Sequence, residues 1–132
     1  NRFVADFIGD TNLLPVIIKA VDEDIARCEL QSDISFNARS IEGAMPGDQL
    51  YVSIRPERIF ISDTAERGGA FSAKVRENIF IGTDITSRIV LENGAEFRVR
   101  ASNSERGNRR VFEPGAEVYV MIEEGAARLL AN

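Results

Sequence analysis

The chain has 132 residues and a formal net charge of −5, so a normal core is expected, because a domain of this size buries roughly two-thirds of its unfolded surface. The acidic balance argues against binding to a nucleic-acid backbone, which depends on clustered Lys and Arg. Histidine is absent, which excludes Ser-His-Asp and Cys-His triads and the HExxH zinc site, and no apolar run reaches the ~20 residues of a membrane helix.

Residues 1–12 are predicted to form a short helix and a linker. Its apolar residues recur on one helical face, namely Phe3, Val4, Phe7 and Ile8. Gly9 stands where a left-handed C-cap residue belongs. Because Asn1 is followed by no signal-peptide pattern, the chain is interpreted as a piece of a longer protein.

Residues 13–62 form a first β-rich half. Its predicted strands are 14–20, 25–30, 34–38, 49–54 and 58–61. Asp22, Glu23 and Asp24 form an acidic connection that lacks the Gly and distal Glu of a calcium loop, so a solvated turn is favoured over a cation site. Pro46-Gly47 is typical of a type II turn.

Residues 63–69 are polar and end in two glycines, which indicates an exposed loop between two halves. The second half, 70–132, has predicted strands at 70–79, 83–91, 96–101, 117–122 and 127–130. Asn93-Gly94 indicates a tight hairpin. Phenylalanines occur singly within these β runs and are expected in the core: Phe60, Phe71, Phe80, Phe97 and Phe112.

The two halves are related by an internal repeat. Pro46-Gly47 followed by Leu50 to Ile54 matches Pro114-Gly115 followed by Val118 to Ile122, at a shift of roughly 68 positions. A unit this small buries little surface alone, so the halves are expected to pack on each other or to exchange strands.

Cys28 is the single cysteine and alternates with Arg27 and Glu29 along a predicted strand. It cannot form an internal disulfide, which favours a reducing compartment. No basic cluster or His would activate the thiol, so Cys28 is expected to be a small buried side chain. No catalytic, cofactor-binding or metal-binding residue is predicted, and the Walker A lysine loop of ATPases is absent from the sequence.

The most specific stretch is Arg55-Pro56-Glu57, between the apolar runs Leu50 to Ile54 and Ile59 to Ile61. Pro56 removes a backbone donor and fixes its φ, so the strand should stop there. Arg55 and Glu57 either cap the turn and pair locally, or Arg55 docks against another domain through directional hydrogen bonds. The second half has Glu123-Glu124-Gly125 in place of this step.

This Arg-Pro-Glu step, together with the opening Asn1 to Leu14, resembles the TOBE (transport-associated OB-like) domains at the C-terminus of ABC-importer ATPases, the polyamine type above all. The resemblance implies a mainly β, OB-like barrel-type domain built from two similar halves, with a short N-terminal helix. It also implies an accessory role in subunit pairing and regulation of ATP-driven uptake of polyamines or a related small solute.

The resemblance further implies partners and a location. The expected partners are the ATPase domain of the same chain, a second ATPase subunit and integral membrane permeases, at the cytoplasmic face of the plasma membrane. ATP and Mg²⁺ would belong to the ATPase domain, so no cofactor is expected in the chain itself. No nucleic-acid partner is implied.

Two further interpretations of the sequence stay open, one of a basic loop and one of the function. A basic loop contains Arg106, Arg109 and Arg110, and it is either solvated or in contact with an acidic neighbour or an anion. The candidate interface residues are these three together with Arg55, Pro56 and Glu57. The alternative function is an oxyanion-binding or other small-ligand OB-type module, since paired units of this length also bind molybdate.

Overall fold

The computed structural model describes residues 11–31, 34–64, 71–102 and 111–131. Their strands are β1 (Asn12–Asp22), β2 (Ile25–Gln31), β3 (Ile34–Arg39), β4 (Gln49–Ile54), β5 (Ile59–Ser62), β6 (Phe71–Ile81), β7 (Asp84–Val90), β8 (Glu96–Ser102), β9 (Glu117–Ile122) and β10 (Arg128–Leu130). The mainly β fold is therefore confirmed. The helix predicted near Gly9 lies outside the described residues.

The chain forms two compact units. The first contains the described residues up to Arg55 together with those from Ile122 onward, and its strands close into a barrel in the order β1-β2-β3-β10-β4. Burial alternates along β1 as far as Ile18, where a bulge shifts the register against β2. The apolar face of each strand thus lines the interior. The buried apolar residues of this unit are Leu14, Val16, Ile18, Ala26, Cys28, Ile34, Phe36, Ala38, Val52, Ile54, Ala127 and Leu129.

The second unit runs from Pro56 to Met121 and forms a five-stranded sheet in the order β5-β9-β6-β7-β8. Its core contains Ile59, Ala73, Val75, Ile85, Ile89, Leu91, Phe97, Val99, Phe112, Val118 and Val120. Phe71 lies at the side of this core, with its ring centroid 6.4 Å from that of Phe97 in an edge-on arrangement. At the Asn93-Gly94 hairpin, the Gly94 amide donates to the Leu91 carbonyl at 2.9 Å.

Each unit contains one strand that directly follows a strand of the other unit in the sequence. The barrel order, taken from β10, is β10-β4-β1-β2-β3, and the second sheet repeats it as β5-β9-β6-β7-β8. After β4 the chain continues into β5, which pairs beside β9, and after β9 it continues into β10, which pairs with β4. The sequence pattern groups β10 with the second half, whereas the structure places it in the first barrel.

The reason for this placement is the apolar face of the last strand. Ala127 and Leu129 are 1% and 3% exposed, and Leu129 lies opposite Val52. The Arg39 amide donates to the Ala127 carbonyl at 2.8 Å. The segment closes the barrel between β3 and β4, so it satisfies backbone groups that an open barrel edge would expose.

The internal repeat is visible in the hydrogen bonds of the two Pro-Gly turns. The Gly47 amide donates to the Ile18 carbonyl at 2.7 Å, and the Gly115 amide donates to the Val75 carbonyl at the same distance. Both glycines have positive φ, 95° and 92°, which a residue without Cβ adopts at little cost. Ile18 and Val75 each precede a β-bulge. Each turn therefore clamps the bulge of its own unit's first strand.

Candidate functional site

The segment Arg55 to Glu57, called the crossover segment below, carries the chain from the first unit into the second. β4 ends at Ile54, and Pro56 opens a short 3₁₀ helix, Pro56–Arg58. Pro suits a first helical position because its φ is already helical and its missing N–H has no partner to lose there. Pro56 is buried, which fixes the segment on the second unit. The strand stop expected from the sequence is therefore present.

The two charged neighbours of Pro56 differ in their contacts. Glu57 Oε1 lies 3.8 Å from Arg100 Nη1 of β8, and the Glu57 side chain is about half exposed. An ion pair of this kind contributes at most about 1 kcal/mol. Arg55 is exposed, and within the described ranges no hydrogen bond or ion pair holds its guanidinium. The local partner of Glu57 is thus Arg100 rather than Arg55, and Arg55 presents its donors to solvent.

Three further candidate interface residues are predicted from the sequence. Arg106, Arg109 and Arg110 lie outside the described residues. Their proposed interface role, like that of Arg55, stays a prediction.

A charged cluster covers one face of the second sheet. Arg88 donates through Nη1 to Glu77 and through Nη2 to Glu96, the latter at 2.8 Å, and Arg76 Nη1 lies 3.3 Å from Glu96. The hydrogen bond from Arg88 lowers the pKa of Glu96, and its bonds to both carboxylates raise its own pKa. Arg76 and Arg88 each pair with a Glu carboxylate, so neither guanidinium is available to bind an anionic ligand.

Cys28 is the buried side chain that the sequence predicts. It is fully buried, and its thiol lies 3.7 Å from the Ala26 carbonyl oxygen. Burial raises its pKa to about 11, against a smaller opposing effect of Arg27. The thiol therefore stays protonated at neutral pH, which excludes nucleophilic chemistry by a thiolate.

A cleft of about 330 Å³ opens in the second unit. Ile59 of β5, Ile85 of β7 and Val99 of β8 form its buried wall, and Ser62 and Asp63 belong to its lining. Among the described residues that line it, none is Lys or Arg. An oxyanion binds where cations or N–H donors surround it, whereas the described lining has the hydroxyls of Ser62 and Ser87 beside the Asp63 carboxylate and no cationic side chain.

Two phenylalanines depart from the expectation that they pack in the core. Phe97 and Phe112 are buried, but Phe60 is 39% and Phe80 is 62% exposed. Phe80 lies near the end of β6, beside the turn at Gly82. Strand periodicity cannot reveal this, because a residue at a hairpin end has no further strand or loop to cover it.

The part of the chain that the structure describes has neither a cluster of metal-binding side chains nor a membrane-spanning helix. No group of three or more His, Cys, Asp or Glu side chains in ranges 11–31, 34–64, 71–102 and 111–131 could hold a metal ion. No helix among these residues is long and apolar enough to cross a membrane.

Sequence comparison points to one family. The profile described as "TOBE domain" matches residues 52–130. The "Spermidine/putrescine import ATP-binding protein PotA" of Roseobacter denitrificans is 46% identical over 132 residues, which is all of this chain and 36% of that protein. The protein of the same name from Pseudomonas fluorescens is 32% identical, over all of this chain and 35% of its own length. The chain thus spans just over a third of the length of these relatives.

Structural comparison supports the same fold. A crystal structure of the cytoplasmic molybdate-binding protein ModG, with molybdate bound, superposes with a TM-score of 0.74. The match covers 89% of this chain and 94% of that one, at 14% sequence identity. At this identity the likeness concerns the fold alone, and it confirms the OB-like architecture of two similar halves.

Proposed function

The chain belongs to the TOBE domain family, and on that premise we propose that it is the accessory domain of the ATP-binding subunit of a bacterial ABC importer for polyamines or a related small solute. The observation that carries the proposal is the 46% identity to a spermidine/putrescine import ATP-binding protein along the whole chain. An identity of this level over the entire length of the domain is better explained by a shared role than by a shared fold.

In this role the chain performs no chemistry of its own. ATP and Mg²⁺ bind the ATPase domain, and the accessory domain helps two ATPase subunits to pair and to respond to regulation beneath the membrane permeases, at the cytoplasmic face. The closed first barrel provides a rigid support, and a rigid support transmits binding free energy between partners as a coupling term.

The crossover segment is the proposed contact of this support. Arg55 is exposed at the end of β4, and the buried Pro56 holds the backbone beside it. A guanidinium on a fixed backbone loses less conformational entropy when it binds a carboxylate or a carbonyl of a partner. Arg55 is therefore proposed to contact a second subunit or the ATPase domain.

The experiment uses the full-length subunit with its permeases in membrane vesicles. Wild-type, Arg55→Ala and Arg55→Lys proteins are compared for polyamine uptake, for ATP hydrolysis and for dimer formation by light scattering. Arg55→Ala should weaken dimer formation and uptake several-fold while ATP hydrolysis by the isolated subunit is retained, and Arg55→Lys should recover only part of the loss. Wild-type protein without polyamine uptake would reject the proposed transport function, and normal assembly of Arg55→Ala would reject the interface.

The second candidate, an oxyanion-binding module, rests on the fold shared with ModG. The lining of the cleft in the second unit does not favour it, since Asp63 contributes a negative charge there. Calorimetric titration with molybdate, tungstate and sulfate separates the two functions. Tight binding of any of these anions would favour the ligand-binding function over the accessory role.

A further inference from the structure

The β6–β7 hairpin ends in three large apolar residues, Ile79, Phe80 and Ile81, called the hairpin tip below. They are 39%, 62% and 68% exposed. They are consecutive in a strand, so their side chains alternate between its two faces. The hairpin tip therefore presents apolar surface on both sides of the hairpin.

The equivalent hairpin of the first unit shows that the fold does not require this surface. Counted from the bulge residues Ile18 and Val75, the positions of Ile79 and Phe80 correspond to Asp22 and Glu23. The β1–β2 hairpin thus ends in exposed acidic residues, in a unit with the same strand order. Ile25, 43% exposed, is also at the end of the first hairpin, but the run of three exposed apolar residues at the end of the first strand of the hairpin is found in the second unit and not in the first.

The second hairpin is also longer. Its last pair is Ile81 with Asp84, whereas the last pair of the first hairpin is Asp22 with Ile25. Relative to the bulge, β6 continues two residues further than β1, which corresponds to about 7 Å at strand spacing. β8 runs beside β7 up to the pair of Asp84 with Ser102, whereas the pairs of β6 with β9 end at Lys74, so Phe80 and Ile81 lie at the outer edge of the sheet.

Adjacent exposed apolar side chains at a hairpin end on a sheet edge mark an interaction surface, because leaving them in water favours aggregation. A convex projection with an aromatic residue at its centre suits a concave partner, where it can act as a hot spot. Two convex tips facing each other would bury far less than the ~800 Å² per partner of a stable dimer. A second copy of this hairpin tip is therefore a poor partner for it.

We infer that the hairpin tip docks into an apolar groove of the ATP-binding domain of the parent subunit, an inference that rests on the proposed function. The chain accounts for 36% of the length of its Roseobacter relative, which is named as an ATP-binding protein. The other two-thirds of the length of such a subunit lies outside this chain and supplies most of the residues that the hairpin tip could contact. The docked hairpin ties the second unit to the domain whose movement accompanies ATP hydrolysis.

Site-specific photo-crosslinking tests this contact. The photoreactive residue p-benzoyl-phenylalanine replaces Phe80 in the full-length subunit, and the same residue at Glu23 is the matched control at the end of the shorter hairpin. After irradiation, peptide mapping should find crosslinks from position 80 to the ATP-binding domain, at least tenfold above those from position 23. Crosslinks from position 80 to another copy of this domain or to a permease would overturn the inference, and so would equal yields at both positions.

A double variant gives an independent readout. Phe80→Ser with Ile81→Ser should leave the circular dichroism spectrum of the full-length subunit unchanged, because both side chains are mostly exposed. In the full-length subunit it should increase the rate of limited proteolysis between the two domains at least threefold, while Glu23→Ser should not. Unchanged proteolysis in the double variant would overturn the docking. Loss of ATP hydrolysis in the wild-type subunit would instead count against the proposed function.

Discussion

Replacing Leu129 with Ala tests whether β10 completes the first barrel. Leu129 is 3% exposed and lies opposite Val52 of β4. Val52 is itself fully buried and also pairs with Leu14 of β1. Because Val52 is held by strands on both sides, it cannot move far to fill the space that a shortened side chain leaves.

The cost follows from this confinement. Removing a buried Leu side chain loses its transfer free energy and leaves a cavity, and such changes destabilise proteins by roughly 2–5 kcal/mol. We expect about 3 kcal/mol for Leu129→Ala, since neighbouring strands limit relaxation. Arg128→Ala is the matched control on the same strand, where the exposed side chain should change stability by no more than about 0.5 kcal/mol.

Urea unfolding followed by circular dichroism measures both variants, and amide hydrogen exchange locates the effect. The Arg39 amide, which donates to the Ala127 carbonyl at 2.8 Å, should exchange faster in Leu129→Ala than in the wild type. A loss of less than about 1 kcal/mol, below the range for a buried Leu, would refute the assignment of β10. An unchanged exchange rate at Arg39 would refute it as well.

Three further predictions concern backbone strain and pH. Gly47→Ala and Gly115→Ala should each cost about 1–2 kcal/mol in urea unfolding, because their φ is positive although no atom lies within 4 Å of the added Cβ; equal stability would contradict the strain. Burial raises the pKa of Cys28 from an ordinary 9.0 to about 11, so the unfolded thiol ionises first and stability should fall by about 2 kcal/mol between pH 9 and 11, a decrease that Cys28→Ala should lack. Arg88 lowers the pKa of Glu96, so the ionised carboxylate stabilises the fold above its ordinary pKa, and this contribution is lost as the pH falls through the pKa of the folded state. Glu96→Gln should therefore flatten the acid side of the curve of stability against pH. An unaltered curve would contradict the pairing of Glu96 with Arg88.

Much of the fold could be predicted from the sequence because local signals agree with the final structure. Alternation of apolar residues locates the strands to within a few residues, Pro56 ends β4, and the two Pro-Gly turns mark the repeat. These features depend on a residue's own conformational preference or on its near neighbours, so a single sequence contains them.

The pairing of β5 and β10 could not be predicted in the same way. Each is a short apolar run whose pattern fits an open barrel edge in either unit, and periodicity does not distinguish two similar edges. The exposure of Phe80 was missed for a related reason, since a strand pattern does not say where a hairpin stops being covered. Both features are decided by long-range packing.

The duplication separates what the fold requires from what it merely permits. Features present in both units, such as the bulge, the Pro-Gly clamp and the strand order, are explained by the stability of an OB-like unit. The Arg-Pro step at the crossover and the apolar hairpin tip occur in one unit only, while the matching positions elsewhere carry Glu123-Glu124 and Asp22-Glu23. Since one unit folds without them, the stability of the fold does not require them, which agrees with the contacts to another domain proposed above. This asymmetry is the reason that Arg55 and Phe80 are the positions at which substitution should affect assembly more than folding.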